Sequence, residues 1–328
     1  MKNIEPRSKT LAVLPLRAVT PLAQVKSFSI STNYLWLFFV FLFWRCQDVV
    51  EVDLPATESR LVIDAVIRVD RTDAFAQVEI KVKETSDFFS DNIITELESA
   101  VIFYGMPVEG APELFDVVFR SSLAELQPGT GIYGPDPNFS TDQRIPTSIV
   151  QPGFVFQLLI EHQGREYFAT TPFSPSVPID SLVQGDEILF DEDDKELIVT
   201  FTDIPDEKNY YVFDFDFGEF LAADDQFIDG QQFEFSYFYQ KDLAPGTVAE
   251  VSILGADQQF HNYMNLLVEQ TVDNGGVFET PAITVRGNIF DVTDLDNITV
   301  FDNVEQPEIF PLGYFAVVEE FKRTIVIE

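Results

Sequence analysis

Carboxylates are the one abundant reactive group in this sequence: 55 Asp and Glu stand beside two histidines and a single cysteine among 328 residues. Two chemistries could use them. A pair of acids about 5 to 10 Å apart across a sugar can hydrolyse a glycosidic bond, and acids converging in a loop at about 2.3 to 2.6 Å can hold calcium. No spacing singles out a hydrolytic pair, because alternation with phenylalanine assigns many acids to the solvent side of strands. For calcium, the acids at 191–194 and 224–225 and the trio Asp291, Asp294 and Asp296 fall in turn-like segments. None matches the DxDxDG loop. Calcium is thus the only cofactor the residues suggest, with that trio as candidate ligands.

Other chemistries fare worse. His162 lies beside the Gln163-Gly164 turn and His261 in a helical stretch, whereas zinc sites and Ser-His-Asp triads need histidine with partners in fixed positions. No GxSxG or HExxH occurs. Residues 129–134 read GTGIYG and match GxGxxG, but Pro135 and Pro137 follow at once. A dinucleotide turn must open a helix whose N–H groups hold the pyrophosphate, and prolines there leave only a loop. The expectation is a protein that binds without breaking bonds, not an enzyme; a carboxylate glycoside hydrolase is the alternative from another class.

Cys46 follows an uncharged apolar run of 11 residues, 34–44 (YLWLFFVFLFW). That is too short for a membrane span, which needs roughly 20 helical residues. It suits the core of a signal peptide, with Lys2, Arg7, Lys9, Arg17 and Lys26 as the basic leader. Residues 1–45 are therefore expected to be an export signal and Cys46 the lipidated first residue of the mature chain. Trp44 and Arg45 stand where small residues are usual, and the long leader points to a start further downstream. With one cysteine, no intramolecular disulfide can hold the fold.

Of the 55 acids 54 follow Cys46, against 14 of the 20 bases. Such a surface repels phosphate, so no nucleic-acid partner is expected; strong net charge also maintains solubility. Yet 46% of residues are apolar and 33 are Phe, enough for a large core.

Period-two alternation dominates and predicts a mainly β protein. In 212–217, Phe213, Phe215 and Phe217 should face the core and Asp214 and Asp216 water. Turn-rich spacing suggests sandwiches or barrels, and we expect two sandwich-like, immunoglobulin-like domains. Three prolines in 172–178 mark the boundary, giving domains at 46–176 and 177–328. One helix is predicted at 257–272, with Asp257 capping its start. The aromatic strand at 233–239 offers Phe235, Tyr237 and Tyr239 as a partner contact, since aromatics are enriched in interface cores.

Several short motifs in order resemble a known family: Cys46-Gln47-Asp48, Leu54-Pro55, Leu61-Val62-Ile63, Gly131-Ile132-Tyr133 ahead of Gly153, Pro178-Ile179-Asp180, Asn288-Ile289 and Leu312-Gly313-Tyr314-Phe315. Together they resemble the Bacteroidota lipoproteins grouped as domain of unknown function 4249. The resemblance implies an outer-membrane lipoprotein encoded beside a TonB-dependent receptor, binding that receptor or its cargo. The alternative is a free-standing structural or adhesive surface lipoprotein stabilised by calcium.

Overall fold

The computed structural model describes residues 59–85, 93–189, 195–239, 242–272, 285–293 and 310–328. Its first strand, β1 (Leu61–Asp70), follows the alternation in LVIDAVIRVD. Leu61, Ile63, Ala65, Ile67 and Val69 are buried on one face, and Val62, Asp64, Val66 and Arg68 point the other way. β2 (Ile80–Glu84) pairs antiparallel with β1, and the short β3 (Ile93–Ile94) with β2. β4 (Ser99–Val108), β5 (Ala111–Glu125) and β6 (Ile132–Pro135) follow, then β7 (Val155–His162), β8 (Arg165–Ser174) and, late in the chain, β15 (Ile289–Asp291). The last strand is β16 (Leu312–Val326), 15 residues long.

Two sandwiches are not what this chain forms. The strands β16, β1, β2, β6, β5, β4, β7 and β8 pair in turn, and Val317 and Val318 of β16 then pair with Phe173 and Ser174 of β8. The circuit closes into an eight-stranded barrel. Eight strands leave an interior that side chains just fill, and here it holds Ile63, Ile67, Ile102, Phe156, Leu158, Phe315 and Val317, all at most 1% exposed. The local pattern predicts half-buried strands correctly but carries no signal for closure, because β16 lies some 250 residues after its parallel partner β1.

Two residue pairs are a short closing ladder, and Asn288 extends it. Its Nδ2 donates to Phe315 O (2.8 Å) and Thr170 O (3.3 Å), while Phe315 N–H donates to its Oδ1 at 2.9 Å. The side-chain amide thus stands in for a strand where β8 turns away to pair with β15. Gly313 has φ +98°, and a Cβ there would lie 1.9 Å from Ile63 O; only glycine allows β16 so close to β1.

The second half of β16 extends the same sheet. β14 (Val248–Ala256) pairs with residues from Glu320 to Val326, then β11 (Tyr210–Asp214) with β14 and β12 (Phe220–Asp224) with β11. A separate three-stranded sheet, β13 (Gln232–Phe238), β10 (Glu196–Thr202) and β9 (Ile179–Gln184), shares an aromatic core with that extension, built on Phe201, Tyr211, Phe213 and Phe215. β8 runs through Pro172, opposite Val155, and the large sheet continues on both sides of residue 176.

Helix α1 (Gln258–Val272) packs on the opposite face of the extension. Asp257 caps it, its Oδ1 accepting from Phe260 N–H at 2.7 Å, and Phe260 and Met264 are buried against Val212, Leu254 and Tyr314. β11 is therefore covered on both faces. The predicted alternation stops there too: Asp216 and Phe217 have positive φ in the turn toward β12, and Phe217 is 37% exposed rather than core.

Replacing Asn288 by Ala should leave the buried N–H and C=O of Phe315 without partners, at about 1–3 kcal/mol for each group. Urea denaturation should show that loss; an unchanged midpoint would mean that the seam does not depend on Asn288.

Candidate functional site

The outward face of β1 is only partly covered, with Val62, Val66 and Arg68 half-buried and Asp64 exposed. Together with β16, β14 and the overhanging α1 it lines a groove of about 830 Å³, within the range of small-molecule sites. Strand alternation sets its contents. Val62, Asp64, Val66 and Arg68 come from β1, Leu312, Tyr314 and Glu320 from β16, Ser252 and Leu254 from β14, and Phe260, Tyr263, Met264 and Leu267 from α1.

The groove has two ends of different character. At the apolar end the Tyr314 ring lies 5.2 Å from Phe260 and 4.7 Å from Tyr263, centroid to centroid. Tyr314 is 4% exposed and its hydroxyl has no hydrogen-bond partner among the described residues, an expensive state for a buried polar atom. Burial pushes that hydroxyl's pKa well up, helped by the charge of Asp257.

The polar end is built on Arg68. Its Nη2 donates to Asp214 Oδ2 at 2.5 Å and its Nη1 to Glu320 Oε1 at 3.0 Å; Ser252 Oγ also donates to that oxygen at 2.7 Å. Glu320 is only 3% exposed, and Arg68 and Ser252 supply the counter-charge and hydrogen bond that a buried carboxylate requires. Lys322 lies 3.7 Å from Asp70. Burial alone would raise the Asp70 carboxyl, but hydrogen bonds from Thr72 and the Lys322 charge hold it below the usual range.

A smaller cavity of about 300 Å³ opens beside the end of β2. His162 Nε2 is 2.9 Å from Glu84 Oε1, Arg165 pairs with Asp291 at 2.9 Å, and the guanidiniums of Arg60 and Arg286 stack on Phe310 at 4.6 and 4.4 Å. Burial would raise Glu84, yet hydrogen bonds from His162 and Ser59 keep its carboxyl low.

The residues singled out by sequence are dispersed. Asp291 sits at this second cavity with its carboxylate engaged by Arg165 and by Thr293 (Oγ1 at 2.5 Å); Asp294 and Asp296 lie outside the described residues, as do the acids at 191–194. Among the described residues no three His, Cys, Asp or Glu side chains converge as metal ligands. Cys46 and the signal segment also lie outside them.

Of the aromatic trio, Tyr239 is 4% exposed and its hydroxyl donates to Phe215 O at 2.8 Å. Tyr237 lies parallel to Phe215 at 3.6 Å and donates to Glu219 Oε2. Phe235 meets Phe213 edge-on at 5.1 Å. These rings fasten the three-stranded sheet to the extension. In the GTGIYG loop, Glu125 Oε1 accepts from the N–H groups of Gly131 and Thr130 at 2.8 and 2.9 Å. The chain's own carboxylate fills the place a phosphate would take, and the Gly131 hydrogen bond first among these holds the Glu125 carboxyl low.

Neither Arg68 nor Tyr314 stands out as a site residue in sequence. One signal was available: Arg68 is the lone base of its strand, on the outward side with Val62, Asp64 and Val66.

The family model for Domain of unknown function (DUF4249) matches residues 47–298. The chain belongs to that family. No curated protein matches it. In this DUF4249 chain the groove is shared across the limit of the match, since Tyr314 and Glu320 of β16 lie beyond residue 298. The described part, within the compact unit Ala56–Glu328, contains no helix long and apolar enough to cross a membrane.

Replacing Arg68 by Met should cost about 3–5 kcal/mol, because Asp214 and Glu320 would keep buried charge without a counter-ion. Denaturant titration should show that loss and its partial recovery on adding Glu320→Gln. Tyr239→Ala should cost about 3–5 kcal/mol as an ordinary core truncation; a melting temperature unchanged from the parent protein would instead identify Tyr239 as a contact residue.

Proposed function

We propose that this chain is a lipid-anchored outer-membrane protein of the Bacteroidota kind that assists a TonB-dependent receptor, holding cargo for it without breaking bonds. The observation that carries this reading is the groove under α1. It has the size of a small-molecule site, an apolar end with an unsatisfied tyrosine hydroxyl, and a polar end whose central charges are already paired. A pre-formed concave site with few convergent polar groups suits capture and release. Arg68 neutralises the most deeply buried acid in it, Glu320, which fits a rigid wall better than a proton donor.

The anchor is supported by Cys46 after its apolar run. The receptor is supported by the ordered motifs from Cys46-Gln47-Asp48 to Leu312-Gly313-Tyr314-Phe315.

Affinity purification from gently solubilised outer membranes, with mass spectrometry of the N-terminal peptide, tests both halves. We expect an acylated Cys46 and a stoichiometric TonB-dependent barrel, and Cys46→Ser should release a folded protein into the soluble fraction. An acylated protein that purifies alone, at low salt and on varied nutrients, would favour a free-standing surface protein; retention of Cys46→Ser in the membrane would remove the lipid anchor.

A further inference from the structure

The groove has a charge imbalance its own ion pairs do not remove. Among the described residues, six carboxylates line it against three bases. All three bases are engaged: Arg68 with Asp214 and Glu320, Lys81 with Glu79 at 3.3 Å, and Lys322 between Asp70 and Glu250. Asp64 has no hydrogen bond or ion pair among the described residues. It is exposed into the groove from the middle of β1, in register with Lys81 on one side and Tyr314 on the other.

Asp64 also belongs to the apolar end, with Val66 between it and Arg68 on the outward side of β1. Tyr314, its neighbour on β16, carries the buried hydroxyl without a partner, and Tyr263 of α1 leans over Tyr314. Asp64 and Tyr263 line the same groove, and burial, then the charge of Asp64, pushes the Tyr263 hydroxyl up to about 12. An uncompensated carboxylate beside tyrosine rings attracts an organic cation twice, through opposite charge and through the negative faces of the rings. A hydroxyl oxygen without a donor adds a place for an N–H. The wall made by Val66, Leu267 and Met264 is apolar and asks for an apolar body attached to that cation.

We propose that the groove binds an organic ammonium joined to an apolar or aromatic body, with Asp64 as its counter-ion, Tyr263 and Tyr314 against its charged head and α1 over its body. This rests on the groove being the ligand site, and it names the class of ligand.

Three indoles that share one body and differ in the end group provide the test: tryptamine, the neutral indole-3-ethanol and the anion indole-3-acetate, titrated into the full chain and followed by ligand-observed NMR. Tryptamine should bind about tenfold more tightly than the alcohol, and the acid more weakly than either. Asp64→Asn should bring tryptamine down to the alcohol's affinity, leaving the alcohol and the melting temperature unchanged. Tyr263→Leu, on a different element, should reduce the same preference and guards against a fault in β1. Equal binding of all three, or a preference that survives Asp64→Asn, would overturn the ammonium assignment while leaving the groove as a ligand site. No binding of any indole at millimolar concentration would overturn the assignment as well. The cargo reading falls separately, if the purified receptor complex is unaffected when the groove is filled by Leu267→Trp.

Discussion

Everything in this fold hangs on the two edges of one strand. Along one edge β16 is hydrogen-bonded to β1 for nine consecutive residue pairs; along the other it meets β8 at Val317 and Val318 and β14 from Glu320 onward. Its first half closes the barrel and its second half founds the extension. The faces divide the same way: Phe315 and Val317 enter the barrel core, Phe321 and Ile325 pack against the aromatic core, and Tyr314, Ala316 and Val318 lie under α1. Three hydrophobic clusters therefore share one backbone, and the groove exists because β1, β16 and β14 present adjacent outward faces.

Arg68 sits at the junction. Its guanidinium joins β1 to β16 through Glu320 and to β11 through Asp214. A fork that donates in two fixed directions suits this place as an ammonium would not. The ion pairs are only partly exposed, so they set the relative position of barrel and extension more than they add net stability.

Much of this was legible locally. Alternation marked the strand at 212–217 and the Asp257 cap marked α1, because those signals depend on neighbours within one element. Closure was not legible. The pairing of β1 with β16 and the amide of Asn288 spanning the seam join segments far apart in sequence, and no local pattern encodes that a sheet returns on itself. The proline-rich segment misleads for a related reason: proline lacks a donor, yet Pro172 fits in β8 because that position need not donate to the ladder. The site was missed on similar grounds. Tyr314 was noticed as part of a motif, but its unsatisfied hydroxyl follows from burial under a helix some 50 residues earlier. Asp64 reads as an ordinary solvent-facing acid until α1 is placed above it.

The late position of β16 also sets an order of events. Until residues 312–318 have been made, β1 keeps one edge without its partner and the barrel stays an open sheet with an unpaired rim. Long-range pairing of this kind is slow to form, and exposed strand edges invite association with other chains. The N-terminal strands must therefore wait, unclosed, until a partner some 250 residues later is in place. A chain built this way remains unfolded longest where it emerges first.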